Sequence, residues 1–95
     1  MLNKEDLKSI LSSYATCIYL MRMVADRIGE DVYWDTSIYV HRLSAYEKID
    51  DAARYNIIDS DTANDLREMF SERCNKDMTS CDFDIMLSEI LEKLK

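Results

Sequence analysis

The stretch KEDLKSILSSYATCIYLMRMVADRI, Lys4–Ile28, decides how the whole chain is read. Leu7, Leu11, Tyr14, Ile18, Met21, Ala25 and Ile28 follow one another in alternating steps of four and three, the spacing of side chains that share one face of an α-helix. Asn3 stands where a side-chain oxygen can cap the first turn, and Gly29 stands where a left-handed residue can end the helix. One long helix over 4–28 is expected. At about 100° per residue, Tyr19, Leu20 and Met23 point to the other side. That side carries Ser9, Ser12 and Thr16 early and apolar residues late, so the second half of the helix is apolar nearly all round. Such a segment needs a central place in the fold or a second copy against it.

Working outward, the chain of 95 residues is one domain, 1–95, because a chain this short cannot fill two separate cores. Its single glycine and complete lack of proline leave few residues for the frequent turns of a sheet protein. The expected fold class is all-α, a small bundle of three to five helices with the long N-terminal helix as its spine. The longest apolar run, CIYLM at Cys17–Met21, is far too short to span a bilayer, and no cationic, apolar leader opens the chain, so a cytoplasmic location is expected. Three cysteines, Cys17, Cys74 and Cys81, are an odd number without framework spacing and are expected as reduced thiols.

The middle segment leaves two readings open. Asp35 can cap a helix running from Thr36 to about Tyr55, yet Ser44 and Glu47 match a capping box that would break it near Ser44. Two later starts are clearer. Asp59 or Ser60 caps a third helix, with Leu66 and Phe70 facing inward. Thr79 and Asp82 form a capping-box pair for a fourth, with Met78 placed to staple onto Phe83 and an apolar stripe of Phe83, Met86, Leu87, Ile90, Leu91 and Leu94 behind it.

The segment DSDTANDLREMF, Asp59–Phe70, invites comparison with a calcium loop, which needs oxygen ligands at places 1, 3, 5, 9 and 12 and glycine at 6. Asp59 and Asp61 fit, but Ala63 has no ligand oxygen, Asn64 replaces the glycine and Phe70 replaces the closing glutamate. The same residues are explained by a helix start with acidic side chains at the positive end of its dipole. On that helix Asp61, Asp65, Glu68 and Glu72 are spaced by four, three and four and form a carboxylate ridge, while Ala63, Leu66, Phe70 and Cys74 lie opposite. A ridge of this kind is either a solvated face or a docking ridge for a Lys/Arg-rich partner. Mg²⁺ or Mn²⁺ would more usually be held by inward carboxylates from two helices.

His41, the only histidine, has no Ser or Cys partner at a catalytic spacing, and Cys74 and Cys81 do not complete a zinc set. With one glycine there is neither a phosphate loop nor a nucleophile elbow, so no catalytic residue, cofactor or metal is assigned. The net charge of −7 opposes direct binding to nucleic acid or an anionic membrane and favours a basic protein surface, such as that of a nucleic-acid-binding protein.

Three functions are therefore expected in turn. The first is a non-enzymatic inhibitor or regulator, docking through Asp61, Asp65, Glu68 and Glu72 with help from the aromatic residues Tyr33, Trp34 and Tyr39. Small acidic helical proteins of phage or mobile elements that occupy the nucleic-acid groove of a defence nuclease would suit this charge pattern, an analogy of class. The second is a homodimer that buries Tyr19, Leu20 and Met23. The third is a metal protein or enzyme.

Overall fold

The computed structural model describes residues 2–28, 31–74 and 78–95, with the side chains of Asp26, Ile28 and residues 31–37 set aside. Among the described residues there are four helices and no strand: α1 (Lys4–Ile28), α2 (Asp31–Arg54), α3 (Ser60–Glu72) and α4 (Ser80–Lys93). None of the described helices is long and apolar enough to cross a membrane. The expected cap at Gly29 lies outside the described residues.

Local chemistry sets the helix starts. Asn3 Oδ1 accepts the Asp6 backbone N–H at 2.8 Å, and Asp59 Oδ1 accepts that of Thr62 at 2.7 Å. At α4 the reciprocal pair forms: Thr79 N–H donates to Asp82 Oδ2 at 2.9 Å while Asp82 N–H donates to Thr79 Oγ1 at 3.1 Å. Backbone hydrogen bonds hold the Asp59 and Asp82 carboxyls below their ordinary value of 3.8. Both caps therefore contribute above that value and are lost as pH falls through the depressed folded values.

The end of α2 uses asparagine, which after glycine is the residue most at ease in a left-handed turn. Asn56 has φ 60°, in the left-handed region, and its N–H donates to the Ala53 carbonyl at 3.1 Å while Ile57 N–H reaches the Ala52 carbonyl at 2.9 Å. These two bonds make a Schellman motif, the usual way to satisfy the last carbonyls of a helix. Asparagine tolerates this conformation less well than glycine. Asn56→Gly is thus expected to raise stability by up to about 1 kcal/mol, and Asn56→Val to lower it, in urea unfolding followed by circular dichroism.

The helices run alternately up and down. His41 meets Tyr14 edge-to-face at 6.4 Å. Arg42 at Phe70 and Cys74 with Arg67 at Asp50 sets α3 antiparallel to α2, and Arg73 at Glu89 with Lys93 at Asp65 sets α4 antiparallel to α3. Lys4 Nζ donates to the Lys95 carbonyl at 3.3 Å, and Tyr19 stacks on Phe83 at 4.6 Å, which sets α4 antiparallel to α1. Helix α1 packs on α2 and α4, and α3 packs on the same two helices. One core fills the space between them, with Leu7, Leu11 and Ile18 meeting Ile49, Leu66, Phe70, Met86, Ile90 and Leu94, all without solvent exposure.

Helix α2 is continuous through Ser44, and it starts before Thr36. Ile38, Ala45, Ile49 and Ala52 are all buried, and a helix places them on one face only if it does not break between Ile38 and Ala45. A capping box at Ser44 is worth about 1 kcal/mol, less than the burial it would forfeit. Asp35 lies inside the helical run, so the chain does not start a helix there.

Candidate functional site

Charge is distributed unevenly over the bundle. Helix α3 carries Asp61, Asp65, Glu68 and Glu72 against Arg67, and α4 carries Asp82, Asp84, Glu89 and Glu92 against Lys93, so these two helices hold −6 of the chain's −7. Between them runs a groove of about 270 Å³ lined by Asp65, Glu68, Glu72, Arg73, Glu89 and Lys93.

The ridge on α3 does not stand alone on the solvent side, as its own helical wheel suggests. Asp65 turns to α4, where Lys93 Nζ donates to its Oδ2 at 2.7 Å, and Arg73 Nη1 donates to Glu89 Oε1 at 2.6 Å across the same groove. The Asp65 hydrogen bond, and then its charge, raise the Lys93 ammonium above its ordinary 10.5. That contribution is complete below 10.5 and is lost as pH rises through the raised value. Two cations thus relieve the repulsion within the acidic set, while Asp61, Glu68 and Glu72 remain exposed. The core side of α3 is as expected, with Ala63, Leu66, Phe70 and Cys74 buried and Met69 added to them.

The predicted aromatic set does not assemble with the ridge. Tyr39 is exposed on α2 and does not line the groove. Tyr33 and Trp34 lie outside the described side chains. The predicted self-association set is divided as well. Tyr19 stacks on Phe83 with the rings 5° from parallel and is half-buried against the core, whereas Leu20 and Met23 are exposed.

The remaining chemistry-bearing side chains have structural work. Cys74 is buried with its thiol 3.4 Å from Met86 Sδ, and burial pushes its pKa up to about 12, so it is no nucleophile near neutrality. All three cysteines are free thiols. Among the described residues no group of three or more His, Cys, Asp or Glu side chains could hold a metal ion.

Arg42 is the residue that sequence reasoning passed over. From α2 its Nε donates to the Phe70 carbonyl at 2.9 Å and its Nη2 to the Cys74 carbonyl at 2.7 Å. One guanidinium thereby closes the C-terminal end of α3, whose last turn has no basic residue of its own. No local signal could have revealed it, since the partners are 28 and 32 residues away.

The chain matches no protein-family model, no curated protein and no solved structure.

Proposed function

We propose that the chain is a non-enzymatic protein-binding module that docks its acidic α3–α4 face on a basic surface of another protein and acts there as an inhibitor or regulator. The observation that carries this reading is the concentration of −6 on the two short helices, while the longer α1 and α2 are nearly balanced. A field of one sign on one side attracts and orients a partner of the opposite sign, and the basic groove of a nucleic-acid-binding protein is the surface whose charge it matches best.

The face also offers an apolar foothold. Ile85 is exposed on α4 and borders a shallow depression with Asp84, Ser88, Glu89 and Glu92 around it. An exposed aliphatic side chain ringed by carboxylates suits a partner that combines Lys or Arg with one apolar anchor.

The test uses the tagged protein as bait in a low-salt lysate, with captured proteins identified by mass spectrometry. Because Asp65 is tied to Lys93, the exposed Asp61 and Glu68 are the informative positions. A basic protein captured by the wild type is expected to be lost with Asp61→Lys and Glu68→Lys together, and to wash off as ionic strength rises beyond about 0.1 M, where screening lengths fall below about 10 Å. Capture that survives the charge reversal, or a wild type that retains no basic protein, sinks the proposal.

A further inference from the structure

Three hollows on the acidic flank join into one trough. The groove between α3 and α4 shares Glu72 and Arg73 with a second hollow of about 210 Å³ that reaches Asp82 and Ile85. Ile85 and Glu89 in turn border the shallow depression on the outside of α4. The α4 wall of this trough is regular. Ile85, Glu89 and Lys93 are spaced by four, so they form one ridge with about 6 Å between neighbours. Two ion pairs place Asp65 beside Lys93 and Arg73 beside Glu89. Along its length the trough thus offers a carboxylate, a second carboxylate and an apolar side chain about one helical turn apart: Asp65, Glu89 and Ile85.

Both carboxylates already hold a cation from the opposite wall. Lys93 on α4 reaches Asp65 on α3, and Arg73 at the end of α3 reaches Glu89 on α4. These contacts exchange easily. All four side chains are between 36% and 45% exposed, and ion pairs so open to water contribute little, because solvent screening and the ordering of long side chains offset the attraction.

Resting on the acidic-face reading above, we propose that the trough receives one helix of the partner, carrying Lys or Arg at two positions four apart and an apolar residue four further on, and that Lys93 and Arg73 are internal occupants which this helix displaces. A helix fits because its own rows of side chains at every fourth residue repeat at the spacing of the α4 ridge. Charge fits because the central groove has four carboxylates, Asp65, Glu68, Glu72 and Glu89, against the two cations. Incoming cations take over carboxylates that are already shaped to hold one, and the displaced ammonium and guanidinium turn out into water. The two internal cations therefore oppose binding, although they line the site.

The probe is a fluorescein-labelled, Ala-rich synthetic helix of about 16 residues with Arg, Arg and Leu in that spacing, titrated with the protein at low salt and followed by anisotropy. Arg73→Gln with Lys93→Gln is expected to lower the dissociation constant at least threefold. Lys48→Gln with Arg54→Gln, the same change of charge placed on α2, is expected to alter it less than twofold. Glu89→Gln is expected to raise it at least threefold. Ile85→Ser is expected to weaken this peptide at least threefold, and to leave one with its leucine moved to the opposite face within twofold. Circular dichroism checks that each variant is folded, and Lys93→Gln alone serves should the double variant not be. A peptide that does not bind, a groove variant that binds no tighter than the α2 variant, or equal binding of the two peptides overturns the inference. The acidic-face reading stands or falls on capture from the lysate, which none of these peptide outcomes decides.

Discussion

Phe70→Ala is expected to lower the free energy of unfolding by about 3–5 kcal/mol, measured by urea titration with circular dichroism. Phe70 is among the largest side chains with no solvent exposure, and it belongs to the one buried cluster to which all four helices contribute. Removing the ring forfeits its transfer free energy and leaves a cavity that short helices pinned at both ends cannot fully close. The pinning is specific: Asp59 fixes the start of α3, and Arg42 fixes its end through the carbonyl of Phe70 itself. A domain of 95 residues has about 5–14 kcal/mol in total, so this single truncation removes at least about a fifth of its stability. Tyr55→Ala, at a residue 65% exposed, is the control and should change stability by no more than about 0.5 kcal/mol. A loss below about 1 kcal/mol for Phe70→Ala would show that α3 does not pack as described.

The second large effect is at Arg42. Its guanidinium makes two charged hydrogen bonds to carbonyls, each worth about 1.5–3 kcal/mol when intact and less at a half-exposed site, and it stands at the negative end of the α3 dipole. Arg42→Met, which keeps most of the apolar stem, is expected to cost about 2–3 kcal/mol. Arg42→Lys should recover less than half of that, because a single ammonium cannot reproduce a planar fork that reaches Phe70 and Cys74 together. Equal stability of the lysine and arginine forms would refute the capping role and leave only a general charge effect. The two variants also separate in salt: the part that depends on the dipole weakens with ionic strength, whereas the geometric part does not.

The contrast between these residues explains what the sequence could reveal. The starts of α3 and α4 were legible because Asp59, Thr79 and Asp82 bond to donors only three residues away. Helix α1 was legible because its seam recurs over many turns, and the all-α class followed from the single glycine and the lack of proline. Helix α2 was ambiguous for a physical reason: its buried side includes the small Ala45 and Ala52, while Tyr39, Val40 and Leu43 point outward, so hydrophobicity does not mark the inner face. The acidic ridge was placed on the right helix, but no wheel of α3 could show Lys93 arriving 28 residues later to hold Asp65. The same limit applies to Tyr19, whose separation from Leu20 and Met23 depends on where α4 begins. Properties set by one helix are read from its own residues, whereas properties set where two helices meet require the fold.

The contact between Lys4 and Lys95 has a practical meaning for anything attached to the protein. It brings the start of α1 and the end of α4 to one pole of a body 42 Å long. A fluorophore, tag or solid support coupled at either lysine is therefore held about one full α1 length, some 37 Å, from the far pole. Immobilised molecules would stand upright, with the opposite pole presented to solution and the acidic flank left open along the side.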